Sequence, residues 1–302
     1  MANLTTILQL SAFSIQPVWQ STIKTYPPWA FEFFGTLIIQ FTAYWIPCAL
    51  FQPFDILFPA FAHRHKIQPI PKPVSTSQLW YCLYVVVRNQ FLAAALHASV
   101  LFCAIQLGQT SLARLDTALP KPLEILRDLA FCIILRELMF YYAHRLLHTS
   151  RFYAPVHKFH HLFTAPIAMA TEYTHPFEHL ISNILPVSIP PRLINAHIAT
   201  AWLFMAFIII QAVIGHSGYD FFGNVAMIHD LHHEKFVVNF GGAGGGWVDY
   251  FHGTYRAPKK EKKRSSKGSQ CLRSTDQLAL LSANYYKDVA KLWGYISTLT
   301  AV

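Results

Sequence analysis

The sequence predicts an all-α, integral-membrane helical bundle of about four spans, part of which is a hairpin. Of the 302 residues, 53% are hydrophobic and only 13% are charged, whereas about a quarter of the residues in an average globular protein are charged. The apolar residues are gathered into long runs, and residues 196–215 contain no Asp, Glu, Lys or Arg. A run of about 20 such residues is long enough to cross a bilayer as a helix.

The apolar runs locate the spans in chain order. Residues 52–78 separate the first two spans and form a Pro-rich, basic loop. The third span is the poorest, because Arg127-Asp128 and Arg136-Glu137 interrupt it and a charge at mid-span costs roughly 3 kcal/mol. The predicted spans are 30–51, 88–107 with Arg88 reaching the membrane interface, 123–143, and a hairpin formed by 177–190 and 196–215.

Positive charge lies in loops beside the predicted spans and in a tail run, Lys259–Lys267, and the net charge is +9. Basic loops beside spans are typical of a cytoplasmic membrane face, so no nucleic-acid partner is expected. The chain divides into N-terminal spans and loops at 1–122, a histidine-rich region at 123–254 and a basic, polar C-terminal tail at 255–302.

Histidines carry the clearest functional pattern. The chain has 16, and eight of them form three short clusters, HRLLH, HKFHH and HDLHH. These eight are His144 and His148, then His157, His160 and His161, then His229, His232 and His233. Residues at i, i+3 and i+4 share one helix face. We therefore predict that the first cluster ends a helix, that a second helix begins at Pro155, and that a third follows a possible N-cap at Asn224.

Eight clustered imidazoles predict a centre of two metal ions. A structural zinc ion takes only four ligands, whereas two ions can share eight nitrogens at about four each. Imidazole binds Zn, Cu, Fe and Ni, so the ligand type alone does not select the metal. We add His216 to the predicted ligands. His175, Glu172 and Asp230 are candidates either to bind metal or to hold a ligating imidazole in place.

The three clusters resemble the histidine boxes of the fatty acid hydroxylase superfamily, which is also called the sterol desaturase family. Between the boxes, AMATEYTHPFE at 168–178 and HSGYD at 216–220 resemble C-4 methylsterol oxidases. Two departures indicate a divergent member with another apolar substrate. HSGYD and HDLHH are separated by only eight residues, and NFGGAGGGWVDYFHGT after the third box matches the family ending loosely.

The resemblance implies a catalytic region at 123–254, with a cytosolic, histidine-rich helical cap that holds two iron ions per chain. It implies no catalytic residue beyond the metal ligands. The expected reaction is O2-dependent hydroxylation of a lipid-like substrate such as a sterol, terpenoid or fatty acyl chain. The expected electron donor is a separate protein, either cytochrome b5 or an NADPH-dependent reductase. The resemblance places the chain in the endoplasmic reticulum membrane as a multi-pass protein, with its boxes facing the cytosol.

Three alternatives stay open at this point, one of which is a zinc-dependent membrane hydrolase, although its three ligands and open position would leave five boxed histidines unexplained. A desaturase of the same family would use the same boxes, because substrate placement decides between hydroxylation and loss of a second hydrogen. A membrane metal transporter is the rival of another class. Transport sites lie near mid-bilayer on the spans themselves, whereas these clusters adjoin the predicted spans.

Overall fold

The computed structural model describes residues 4–68, 74–221, 224–242 and 246–258, and within them the fold is helical with no β-strand. The α-helices, in chain order, are α1 (Leu4–Thr25), α2 (Pro28–Phe51), α3 (Phe54–Leu57), α4 (Pro59–His65), α5 (Thr76–Gln106), α6 (Pro122–Leu147), α7 (Ser150–Tyr153), α8 (Pro176–Glu178), α9 (Leu185–Leu193), α10 (Ile198–Gly215), α11 (Val225–Lys235) and α12 (Trp247–Phe251). Two 3₁₀ turns, His157–Leu162 and Ala168–Glu172, and a π-helical turn, His179–Ile184, complete the fold. The basic tail run predicted at Lys259–Lys267 lies outside the described residues.

Local sequence explains where several helices begin. Proline occupies the first turn of α2, α6 and α8, where its missing N–H costs nothing and its fixed φ suits a helix. At α5, the Ser75 hydroxyl accepts from the Gln78 amide, and the Gln78 side chain accepts from the Ser75 amide. This reciprocal capping box extends α5 upstream of the span predicted at 88–107.

Within the part of the chain that the structure describes, three helices, α2, α5 and α10, are long and apolar enough to cross a membrane. The helix α6, over the predicted span 123–143, instead contains two close Arg–acid pairs, Arg127–Asp128 at 2.7 Å and Arg136–Glu137 at 3.1 Å. The bundle therefore has the predicted class and helix positions, and α6 supports the site rather than meeting the requirements for a span.

The helices α2 and α10 pack side by side and approach closely at one glycine. A Cβ atom on Gly35 would overlap the Trp202 ring, so only glycine fits there. The indole Nε1 of Trp202 donates to Thr36 at 3.0 Å. The ring of Phe51, at the end of α2, lies 6.3 Å from that of Tyr219, which follows α10. Both helices therefore run toward the same end of the bundle, the histidine end, where α6 also finishes.

The predicted hairpin is present, with a longer first arm than expected. In place of 177–190, helical structure runs without a break through α8, the π turn and α9, over residues 176–193. At 1.5 Å per residue this arm spans about 27 Å. The turn is stabilised by the Ala196 amide, which donates to the Pro191 carbonyl, while Arg192 is exposed. The hairpin leaves the histidine end along α9 and returns to it along α10.

The hairpin predicts the membrane topology. Single cysteines at positions 165, 194 and 235, in a cysteine-free background, can be labelled with an impermeant reagent in sealed microsomes. We expect positions 165 and 235 to react from the cytosolic side, because both flank boxes that meet at the histidine end, and position 194 not to react. Opposite accessibility of 165 and 235 would contradict both the topology and a shared metal centre.

Candidate metal centre

Nine histidines converge at the histidine end in two groups. These are the eight boxed residues and His216, the whole predicted ligand set. Within each group, one nitrogen per residue lies within 4.8 Å of all the others. The first group contains His144, His148, His157, His161 and His232, and the second contains His160, His216, His229 and His233. Seven of the nine are buried, and His148 and His229 are half-buried. That these residues bind metal stays a prediction.

The local structure distributes each of the two later boxes between both groups. His144 lies in the last turn of α6 and His148 ends that helix. The second box forms a 3₁₀ turn rather than the predicted α-helix, because Pro155 begins no helix here. The third box lies on α11 as predicted, although Asn224 precedes it with φ +68° and without a side-chain cap. On α11, His229 and His233 are one turn apart and enter the second group, while His232 enters the first.

The Nε2 atoms lie as close to one another as ligands on a common ion. In the first group, the Nε2 atom of His148 is 2.8 Å from that of His157, 3.1 Å from that of His232 and 3.3 Å from that of His161. In the second group, the Nε2 atom of His229 is 2.9 Å from that of His216 and 3.0 Å from that of His233. Two nitrogens bound at right angles to one ion, at about 2.1 Å each, would be about 3.0 Å apart.

Hydrogen bonding at Nδ1 fixes the tautomer of four of these imidazoles and so leaves a lone pair on Nε2. The Nδ1 atom lies 2.7 Å from a carbonyl oxygen for His144, 2.8 Å for His232 and 2.9 Å for His216. For His160 the carbonyl is that of Tyr173, at 3.3 Å. Carbonyls only accept, so each Nδ1 carries the hydrogen and each neutral Nε2 carries a lone pair.

Facing lone pairs are the arrangement that a bound cation matches. The Nε2 atoms of His160 and His216 are 3.3 Å apart, and neither can donate to the other once both hydrogens are on Nδ1. Burial lowers the pKa of each of the nine imidazoles, so protonation does not supply the positive charge. A metal ion in each group fits these donors, and a five-nitrogen group exceeds the four positions of a tetrahedral zinc site.

The three further candidates lie outside both groups. His175 is exposed and accepts a hydrogen bond from the Phe177 amide at 3.2 Å, which caps α8. The Asp230 carboxylate accepts from Gln68 at 3.0 Å, and burial raises its pKa to about 6. Glu172 is buried, accepts from Gln90 at 2.9 Å, and has a pKa that burial raises to about 7.

Glu178, one of the carboxylates near the boxes for which the sequence allows a supporting role, approaches a boxed histidine. Its Oε1 atom lies 2.8 Å from Nδ1 of His157, and both side chains are almost fully buried. A carboxylate at this nitrogen orients a metal-binding imidazole. The only sequence signal was its position between the second and third boxes.

The segment 240–242 supports His144 through a hydrogen bond to its Nδ1 atom. The carbonyl that binds His144 belongs to Phe240. Asp249 accepts from the amides of Phe240 at 2.8 Å and Gly241 at 2.7 Å, and Glu137 accepts from the Gly242 amide at 2.9 Å. A Cβ atom on Gly241 would lie 2.6 Å from the Asp249 carboxylate, so this segment of the glycine-rich loop fits only without a side chain.

A cavity of about 390 Å³ extends from the histidine end into the bundle. At the histidine end it reaches Glu172 and Ala212, whose carbonyl binds His216. At the opposite end it reaches Ile198, about 21 Å away along α10 at 1.5 Å per residue. Its middle is lined mainly by apolar side chains, among them Leu96, Val187, Met205 and Ile208.

Comparison with known proteins identifies one family. The fatty acid hydroxylase family matches residues 129–254. Human fatty acid hydroxylase domain-containing protein 2 is 31% identical over 264 residues, which cover 83% of this chain and 76% of that protein. Fatty acid hydroxylase ahd1 of Mycosarcoma maydis is 30% identical, over 74% of this chain and 58% of that protein. Methylsterol monooxygenase 1 of Danio rerio is 29% identical, over 77% of this chain and 81% of that protein. No solved structure matches the chain. The chain therefore belongs to the fatty acid hydroxylase and sterol desaturase superfamily.

Proposed function

We propose that the chain is a membrane-bound, non-haem di-iron monooxygenase that uses O2 to hydroxylate a C–H bond of an apolar, lipid-like substrate. Its family and its methylsterol monooxygenase relatives support an oxidoreductase that modifies lipids. The observation that carries the proposal is the pair of facing lone-pair groups beside a long apolar cavity. Two iron ions would supply the O2 chemistry, the first held by the group of five histidines and the second by the group of four.

The protein's own residues orient the imidazoles, exclude water from the centre and position the substrate. Backbone carbonyls fix the tautomers of His144, His160, His216 and His232, so their lone pairs are oriented before metal binds. Burial of seven of the nine imidazoles limits water at the centre. The cavity directs an extended apolar molecule toward the second group. Placing the substrate against the cofactor is the protein's part in cofactor-dependent reactions of this kind. A desaturase of the same family would use the same parts, and the reaction product distinguishes it.

A metal transporter fits the arrangement less well. The ligand candidates lie at the ends of α6 and α10, in turns and on α11, rather than within the three candidate spans. Carbonyl bonds at Nδ1 also hold the imidazoles in one orientation. For the enzyme we propose residence in the endoplasmic reticulum, boxes on the cytosolic side, and a separate electron donor, either cytochrome b5 or an NADPH-dependent reductase.

Metal counting tests the proposal. After anaerobic reconstitution we expect about two iron ions per chain, because the two nitrogen groups are separate. A chelator should remove both ions and the activity, and Fe²⁺ should restore them. Zn²⁺ should occupy the site without O2 consumption, since zinc has no redox chemistry. Product analysis by mass spectrometry, after expression in a membrane host with candidate lipids, completes the test. One tightly bound zinc ion with no iron-dependent product would rule the function out.

A further inference from the structure

A patch of large apolar side chains lies on the outside of α3 and α4. Leu57, Phe58 and Phe61 are 62%, 56% and 41% exposed. On α2, which precedes α3, Ile46 and Leu50 are also mostly exposed and lie one helical turn apart. Apolar groups gathered on one surface mark a contact with a membrane, a ligand or another protein. The three side chains on α3 and α4 are called the α3–α4 patch below.

The two phenylalanines of the patch belong to a packed aromatic cluster. The ring of Phe54 lies 5.7 Å from that of Phe58 and 5.9 Å from that of Phe61. On its other side the cluster reaches Tyr219, whose ring is 5.7 Å from that of Phe54, and Phe221, whose ring is 5.7 Å from that of Phe61. Tyr219 is buried. The cluster therefore has a buried inner side and an exposed outer side, and the outer side is the patch.

Backbone hydrogen bonds fix the position of this segment. The Ile67 amide donates to the Gly218 carbonyl at 3.0 Å, and the Asp220 amide donates to the His65 carbonyl at 3.1 Å. These bonds join the end of α4 to the residues that directly follow His216, a member of the second histidine group. The orientation of the patch is therefore set relative to that group.

Continuity with α2 and the local charge favour a phospholipid bilayer as the occupant. The helix α2 is long and apolar enough to cross a membrane, and only two residues separate its last residue, Phe51, from α3. Residues 52–68 carry Arg64 and Lys66 against one acid, Asp55, and Arg64 is exposed. Phe and Leu on one side with Lys or Arg on the other is typical of helices that lie in the membrane interface. The cations complement the phosphates of the headgroups.

We propose that the α3–α4 patch lies in the headgroup region of the leaflet at the histidine end, with Leu57, Phe58 and Phe61 among the acyl chains and Arg64 beside the phosphates. Interfacial helices bury their apolar side about 5–10 Å into this boundary. The bonds that follow His216 then hold the second histidine group at the level of the headgroups. The contact depends on neither metal nor substrate, so it is independent of the proposed oxidation.

Spin-label accessibility tests this surface in the full chain, reconstituted in nanodiscs of phosphatidylcholine and phosphatidylglycerol. Single cysteines in a cysteine-free background replace Leu57, Phe58, Phe61 or Ala60, and the thermal midpoint checks folding. Collisions are measured with O2, which concentrates in lipid, and with a water-soluble nickel chelate. We expect collisions with O2 to dominate at 57, 58 and 61. Ala60 is the matched control, because it is also exposed but points about 100° away from Phe61, on the face of Arg64. There the nickel chelate should dominate.

Two further measurements examine the charge and the lipid directly. Arg64→Glu should lower the ratio of O2 to nickel collisions at position 61, because phosphates repel a carboxylate, whereas Arg64→Lys should leave that ratio unchanged. Benzoylphenylalanine in place of Phe58, in protein that keeps its native cysteines, should form adducts with phospholipid on illumination, and mass spectrometry detects them.

Other occupants of the patch give different results. Few collisions with either reagent at 57, 58 and 61 would show that a protein surface covers the patch, and dominance of the nickel chelate there would show that water does. Either result overturns the proposal, as does the absence of lipid adducts at position 58. An unchanged ratio in Arg64→Glu would contradict the place of Arg64 beside the phosphates. None of these measurements involves iron or turnover, so their failure is distinct from failure of the proposed function.

Discussion

Replacing His160 by alanine is expected to abolish product formation and to remove one iron ion. The residue belongs to the group of four, where losing one nitrogen leaves three. We expect activity to fall by more than about 10³-fold, beyond the 10- to 100-fold typical of losing a residue that only supports a ligand. His233→Ala should behave the same way. His148→Ala, in the group of five, leaves four nitrogens and should retain more iron while losing activity.

The matched control is His252→Phe. His252 is exposed, stacks on the Tyr141 ring at 5.0 Å, and lies outside both groups. Phenylalanine preserves the stacking, so activity and iron content should stay close to wild type. Iron is counted in each purified variant, and the thermal midpoint checks folding. Substantial activity in a well-folded His160→Ala or His233→Ala protein would refute the ligand assignment.

Replacing Asp249 by asparagine is expected to lower both stability and activity. The carboxylate is 1% exposed and accepts from the Phe240 and Gly241 amides and from Thr254 at 2.7 Å. An amide nitrogen in place of either oxygen would face a donor, so at least one buried group loses its partner, at about 1–3 kcal/mol. The Phe240 carbonyl then holds His144 less firmly, and we expect kcat/KM to fall about 10- to 100-fold.

Thermal unfolding in detergent and steady-state kinetics measure these two effects. Asp116→Asn is the matched control, because its side chain is 49% exposed and, among the described residues, pairs with Arg114 alone. Exposed pairs of this kind contribute about 0–1 kcal/mol. If Asp249→Asn and Asp116→Asn had the same stability and the same kcat/KM, Asp249 would not position the centre.

The sequence predicted which histidines converge better than the local structure that carries them and the way they divide into two groups. Box spacing and the HSGYD segment identified all nine convergent histidines, because i, i+3 and i+4 periodicity is a local property. The helix beginning at Pro155 was wrong, since a 3₁₀ turn delivers His157 and His161 to one group and His160 to the other. Whether the boxes fill one site each or share two depends on tertiary packing, which no spacing encodes.

The supporting contacts were the least predictable part. The sequence allows a supporting role for Glu178 and Asp249 among five carboxylates near the boxes, but it does not pair Glu178 with His157 or Asp249 with Phe240, because these partners are far apart in the chain or lie on a loop without periodicity. His175 and Asp230 have ordinary structural partners instead. Arg88-Asn89-Gln90, at the start of the span predicted at 88–107, lies within α5. Asn89 there donates to the Glu172 and Thr174 carbonyls, and Gln90 donates to Glu172.

The order of the boxes along the chain determines when the first histidine group can form and how much a bound ion would stabilise the folded chain. His157 and His161 precede the hairpin of α9 and α10 and His232 follows it, so the group of five forms only after both hairpin arms have been made and folded. An ion bound there would cross-link points about 70 residues apart. A covalent cross-link of that span stabilises a chain by about 4 kcal/mol in the chain-entropy description. Iron would then stabilise the fold as well as serve as a cofactor. In an iron-starved cell the protein would be less stable and more readily degraded.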